Sequence, residues 1–186
     1  MKNTILFVVT AFILFGCNGN SQEKKEKKML PKKAAVDLLT GSSPAAFSAT
    51  TVDGTAFSSK DYTGKYWVIF VYTNSSLAKT ETHDLVTELN TTYQKYGSKV
   101  PMIGIVNGFT DNEAVTKKDL LNAKIPFKQI DNTQGPDKEK RVDENVFCYT
   151  AKILIDPKGK VVYNGCGGGT ETFNEKLDSL IKAEKL

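Results

Sequence analysis

Residues 66–73, Tyr-Trp-Val-Ile-Phe-Val-Tyr-Thr, carry a β-branched or aromatic side chain at every position. A strand with one wet face alternates polar with apolar residues. A run without alternation is a strand buried on both faces, as in the middle of a parallel α/β sheet. The run therefore points to an α/β fold, and the flanking patterns agree. Residues 47–57, broken at Asp53-Gly54, predict a β-hairpin, because Asp-Gly between alternating apolar residues is a strong turn signal. A helix is predicted over 76–96, with Leu85, Leu89 and Tyr93 on one stripe and Gly97 as its stop. Residues 100–106 read as a second buried strand interrupted by Pro101 and Gly104, 111–123 as a helix, 125–130 as a short strand and 137–146 as a polar helix. Ile153-Leu154-Ile155 and Val161-Val162-Tyr163 flank Asp156-Pro157-Lys158-Gly159, a strand–turn–strand pattern. Thr172-x-x-Glu175 reads as a capping box that opens a last helix carrying Phe173, Leu177, Leu180 and Ile181. A chain of 186 residues, 40% of them hydrophobic, suffices for one domain with an ordinary core.

The start of the chain has a different character. A short basic opening precedes an apolar stretch at 5–15, about the length of a signal h-region and short for a bilayer span. It ends in Leu14-Phe15-Gly16-Cys17, which resembles the bacterial lipobox, where a cysteine after a small residue is lipidated and becomes the mature N-terminus. The competing reading is an ordinary secretory signal with an incidental Cys17. Lipidation at Cys17 implies partnership with a membrane and a place in the bacterial cell envelope, outside the cytoplasm. The expected organisation is a lipoprotein signal at 1–17, a flexible Lys-rich tether at 18–41 and a folded domain at 42–186. The tether is either a solvated linker or a stretch that hugs the membrane electrostatically.

Charge follows the same division. The formal net charge of +4 invites a nucleic-acid partner. Six lysines against two glutamates between 23 and 33 place +4 on the tether, and residues 34–186 carry 18 basic and 19 acidic side chains. Arg141 is the only arginine, so the side chain best suited to phosphate and guanine is nearly absent. No nucleic-acid partner is expected.

Three local motifs resemble the thioredoxin fold, in its redoxin branch of TlpA-like and AhpC/TSA-like proteins, over residues 42–186. Gly64-Lys65-Tyr66-Trp67-Val68-Ile69-Phe70 is similar to the strand leading into the active-site helix of that family. Lys79-Thr80-Glu81 is similar to the basic residue and glutamate just past its cysteines. Ala151-Lys152-Ile153-Leu154-Ile155-Asp156-Pro157-Lys158-Gly159-Lys160-Val161-Val162 is close to its late hairpin. The resemblance implies a thioredoxin-like three-layer sandwich: a central mixed sheet, helices on both faces and an N-terminal β-hairpin extension. It also implies chemistry at the strand-to-helix turn, where a helix N-terminus stabilises a thiolate.

That turn, residues 72–79, contains no cysteine. In the thioredoxin register Cys-x-x-Cys falls on Ser75 and Ala78, and in the peroxiredoxin register the peroxidatic cysteine falls on Ala78. In the Sco copper-chaperone register, which Phe70-Val71-Tyr72-Thr73 also resembles, Cys-x-x-x-Cys falls on Ser75 and Lys79. A serine without a base stays protonated and forms no disulfide. Thr150 stands where the family places a cis-proline. Asn74, Ser75 and Ser76 either cap the helix or present free N–H groups to an anion or a peptide backbone.

Two cysteines remain. Pairing about the turn at 156–159 puts a residue near Thr150 opposite Cys166, so Cys148 and Cys166 come within bonding reach if the ladder persists. They are a structural disulfide, two free thiols or a working redox pair. His83, the only histidine, is predicted about two turns into the first helix, as a surface or packing residue without ligand-spaced partners. Met102 reads as core filler, and Gly165, Gly167, Gly168 and Gly169 read as a loop; no metal or other cofactor is implied. Three function classes stand: a non-catalytic binding module for an envelope protein or peptide, an oxidoreductase or antioxidant redoxin using Cys148 and Cys166, and a Sco-like metal carrier.

Overall fold

A computed structural model describes residues 36–108, 112–133, 148, 150–183 and 186. A two-stranded hairpin, β1 (Ser48–Thr50) and β2 (Ala56–Ser58), precedes β3 (Trp67–Thr73), α1 (Leu85–Tyr96), β4 (Met102–Asn107), α2 (Glu113–Ala123) and β5 (Lys128–Asp131). Then come β6 (Thr150–Ile155), β7 (Val161–Cys166) and α3 (Glu171–Lys182). The main sheet runs β5-β4-β3-β6-β7. β3, β4 and β5 are mutually parallel, whereas β6 is antiparallel to both β3 and β7. The unbroken apolar run is thus the middle strand, and Val68 to Tyr72 are all at most 1% exposed.

Strand alternation splits the core in two. Val68, Phe70, Tyr72 and Leu154 face a cluster completed by Leu85, Leu89 and Tyr96 of α1, Leu120 of α2, and Phe173 and Leu177 of α3. Trp67, Ile69, Val71, Ile103, Ile105 and Ile153 face the other way, against Val36, Leu38, Phe47 and Phe57. Each such side chain contributes roughly 1.5–3 kcal/mol by leaving water. All three described helices serve the first face; the second is closed by the segment before β3, and the helix expected at 137–146 lies outside the described residues. On that second face Trp67 stacks on Tyr62 at 5.1 Å between ring centroids, and Tyr62 on Phe57 at 5.7 Å.

The same leading segment covers parts of both sheet edges. Gly41 N–H donates to Val161 O at 2.8 Å and Val161 N–H to Ser42 O at 2.9 Å. At the far edge Val52 N–H donates to Gln129 O at 2.8 Å, beside a bridge between Thr51 and Ile130. Val36 and Leu38 are 0% exposed, so the folded domain starts ahead of the boundary at 42, and residues 36–41 are no free tether. The glycine that interrupts β4 makes room. Tyr72, fully buried, lies over Gly104 and donates its hydroxyl to Gln129 Oε1 at 3.0 Å. A Cβ at position 104 would lie 2.6 Å from that hydroxyl.

Several boundaries differ from expectation for identifiable reasons. The first helix begins at Leu85, not near 76. Its N-cap is Asp84, whose Oδ1 accepts from Thr87 N–H at 3.0 Å. The Ser- and Thr-rich stretch before it bonds locally instead, as those side chains do, and forms one 3-10 turn, Asn74–Leu77, then a loop. The last helix begins at Glu171, which places Thr172 inside its first turn, so the capping box is not made. In the β6–β7 hairpin Ala151, not Thr150, lies opposite Cys166, because the register shifts between Leu154 and Ile155.

Candidate functional site

The C-terminal end of β3 meets the start of β6, with Tyr72 paired to Thr150. Among the described residues, Ser75, Ala78, Thr150 and the two cysteines collect at this end of the sheet. Beyond Thr73 the chain makes its 3-10 turn. Thr73 Oγ1 lies 2.9 Å from Ser75 Oγ and 2.8 Å from Ser76 Oγ, so three hydroxyls converge where the resemblance places thiols. Ser75 and Ala78 are exposed. Residues 78–84 separate this turn from α1, so neither position sits at an α-helix N-terminus. The electrostatics that activate a thiolate in a thioredoxin-like turn act elsewhere here, on Asp84. A hydrogen bond from Lys79, reinforced by the Thr87 backbone, holds the Asp84 carboxyl down at about 2.

Beside the turn opens a groove of about 480 Å³. It is lined by Asn74, Leu77 and Ala78 of the turn, Val86 of α1, and Asp119 and Asn122 of α2. Asn74 lines it, and its Oδ1 is buried without a hydrogen-bond partner among the described residues. Such an acceptor carries the full cost of its lost water for as long as no donor reaches it. Capping by Asn74, Ser75 and Ser76 does not occur at α1; their polar groups serve the 3-10 turn and the groove.

Cys148 and Cys166 are joined as a disulfide with 5.7 Å between Cα atoms. Cys166 is exposed, and Cys148 packs against the second core cluster. Strand pairing thus brings together the two cysteines that sequence register placed near each other, and Gly167 N–H donates to Thr150 O at 2.8 Å directly beside them. Thr150 itself is strand backbone, and Cys17 lies outside the described residues.

His83 precedes α1 instead of lying two turns inside it, and its Nδ1 sits 3.4 Å from Glu88 Oε1. Among the described residues no three His, Cys, Asp or Glu side chains form a metal-binding group. Met102 is 5% exposed and packs in the first cluster, as core filler does.

One residue of this end escaped sequence reasoning. Lys152 is 2% exposed, on the face of β6 that carries Leu154. Its Nζ donates to Gly167 O at 2.7 Å and to Gly168 O. Burial pulls its ammonium below the usual lysine range, and the charges of Glu88 and Glu171 oppose that pull. Parity puts Lys152 on the same face as Leu154, two positions on, but its burial depends on the Gly167 and Gly168 carbonyls, which lie at the end of another strand.

The comparisons with known proteins match this geometry. The thioredoxin domain of a thiol-disulfide oxidoreductase from Bacteroides vulgatus superposes with a TM-score of 0.60 at 21% identity, over 77% of this chain and 99% of that one. A thiol:disulfide interchange protein from a Bacteroides species gives 0.54 at 20% identity, over 76% and 90%. The pneumococcal exposed lipoprotein thioredoxin of Streptococcus pneumoniae gives 0.57 at 19%, over 73% and 100%. At such identities the likeness shows a thioredoxin-like fold. A search of curated protein sequences returns no match. The sequence model of the AhpC/TSA family matches residues 40–164, two thirds of the chain, and with the sheet order and hairpin described above this places the protein in the AhpC/TSA family.

Proposed function

We propose that this protein is a membrane-anchored, thioredoxin-like domain of the bacterial cell envelope that binds a polypeptide in the groove beside residues 74–78, without standard thiol chemistry at that turn. The observation that carries the reading is the groove itself. It stands open at the end of the sheet where the fold holds its reactive groups, it is lined by Asn74, whose buried Oδ1 has no hydrogen-bond partner among the described residues, and Ser75 and Ala78 in its lining hold no thiol. Anchoring rests on the lipobox-like Leu14-Phe15-Gly16-Cys17, and an extracytoplasmic place agrees with the exposed lipoprotein among the structural neighbours. The partner is another envelope protein or peptide.

The test is site-specific photocrosslinking of the full-length chain in its own envelope. A crosslinker at Ala78 is expected to capture a discrete polypeptide, whereas one at Lys158, at the opposite end of the sheet, captures none. Equal capture at both positions overturns the reading. Insulin reduction by wild type that is lost in Cys148→Ser overturns it as well.

A second reading is favoured by one specific observation. The Cys148–Cys166 disulfide lies at this same end, half-exposed and next to Thr150. Exchange of that disulfide with an external dithiol is the activity it supports, and insulin reduction distinguishes the two. Nothing described favours a Sco-like metal carrier over these.

A further inference from the structure

We propose that Lys152 is a positioning residue for the Cys148–Cys166 pair, acting through the Gly167–Gly168 turn; the proposal rests on the exchange reading of that pair. Among the described residues Lys152 is the one buried charged side chain. An ammonium withdrawn from water is costly unless its protons are taken up. Here the backbone takes them up: the carbonyls of two consecutive residues, Gly167 and Gly168, both accept from Nζ. Both residues adopt left-handed backbone, φ 66° and 62°, which glycine enters without strain. The negative charges of Glu88 and Glu171 favour the ammonium at this place, and among the described residues Glu88 Oε2 is buried without a hydrogen-bond partner.

The consequence falls on Cys166. On its N-terminal side the β6–β7 ladder fixes it opposite Ala151. On its C-terminal side Gly167 is tied twice to β6, by its N–H to Thr150 O at 2.8 Å and by its carbonyl to Lys152. The cysteine backbone is bracketed on both sides, at a Cα separation from Cys148 of 5.7 Å, inside the range a disulfide requires. When the disulfide opens, the bracket keeps Cys166 in place, and closing it again is an intramolecular step in which that cysteine is already positioned.

The exchange step balances with an external dithiol as reductant. One thiolate of the dithiol attacks a sulfur of the Cys148–Cys166 bond, forms a mixed disulfide and releases the other cysteine as a thiolate, which takes a proton. The second thiol of the dithiol loses its proton and attacks the mixed disulfide. Two electrons have passed, the dithiol leaves as a disulfide, and both cysteines are thiols. Lys152 makes and breaks no covalent bond in this sequence.

The test is the redox equilibrium of the full-length chain in glutathione buffers, read as the fraction of alkylated cysteine by mass. Lys152→Met is expected to shift the equilibrium constant about tenfold toward the reduced form, within the range of ordinary coupling between sites. Lys152→Arg, which still donates to the turn, is expected to recover most of that shift. Circular dichroism of each variant establishes that it is folded. If Lys152→Met does not fold, Gly168→Ala keeps the lysine while straining the turn, and the same direction of shift is expected from it. A folded Lys152→Met or Gly168→Ala with the wild-type equilibrium constant overturns the proposal. A tenfold shift together with no insulin reduction by wild type sustains the positioning role and overturns only the exchange reading.

Discussion

Two structures share one end of the sheet and are built in opposite ways. The turn at 74–78 hangs from the last residue of β3, is exposed at Ser75 and Ala78, and is held by hydroxyls that bond mainly to one another. The cysteine pair joins the last residue of β7, Cys166, which a buried lysine brackets, to Cys148, two positions ahead of β6. The turn has the position without the cysteines, and the β6–β7 hairpin has the cysteines at its open end without an α-helix N-terminus. The difference shows that in this fold the place where a reactive group can stand and the means of activating it are separable. A family fold therefore locates a site here without naming its chemistry.

The largest effect expected from breaking the comparison is on stability. Replacing both Cys148 and Cys166 by Ser removes a cross-link spanning 18 residues and is expected to cost about 3 kcal/mol in urea unfolding. Ser75→Ala, the matching change in the turn, is expected to stay within about 0.5 kcal/mol. Comparable losses from the two would show that the turn is as firmly built as the pair. Next comes the strand that carries the turn. Gly104→Ala places a Cβ 2.6 Å from the Tyr72 hydroxyl, and such overpacking is expected to cost about 1–3 kcal/mol by the same measurement.

A smaller effect is tied to pH. The Asp84 carboxyl is depressed to about 2 by Lys79, so its folded value lies below its unfolded one. Its charged form therefore adds stability that is present above about pH 4 and fades as pH falls through about 2. Asp84→Asn retains an N-cap without the charge. Wild type is expected to exceed this variant at pH 6 by a gap that narrows steadily toward pH 2, by urea melts across that interval; an unchanged gap would mean the cap, not the charge, is what matters. The smallest expected effect sharpens the comparison most. Putting cysteines back with Ser75→Cys and Ala78→Cys is expected to give thiols that titrate near 8.5, the ordinary value, because no α-helix begins there. A thiol pKa well below that, measured by the pH dependence of alkylation, would show that the 3-10 turn activates as an α-helix does.

Sequence made the strands legible and left much of the site unread. The run at 66–73 and the Asp-Gly and Asp-Pro-Lys-Gly turns are local signals whose physics is contained in a few residues, and the sheet follows them. The proximity of Cys148 and Cys166 was reachable because strand pairing is arithmetic once a turn is fixed, although the shift beside Leu154 moved the partner of Cys166 by one residue. The start of α1 was not reachable from apolar spacing. Leu85 and Leu89 mark the stripe, but whether the preceding turn joins it depends on Ser, Thr and Asp side chains choosing local bonds and the Asp84 cap. Lys152 was hidden for a different reason. Its burial makes sense only with the carbonyls of Gly167 and Gly168, which come from another strand's end and which no local pattern announces.

The aromatic stack on the second face has an optical consequence. Trp67 is the chain's single tryptophan, 6% exposed and in contact with the Tyr62 ring. It lies at the opposite end of β3 from Thr73, roughly 20 Å away at the rise of an extended strand. Its emission is consequently a clean reporter of whether residues 36–62 remain docked on the sheet, and it is blind to what enters the groove. Fluorescence titrations of a ligand at the 74–78 turn need an added probe, whereas unfolding can be followed without one.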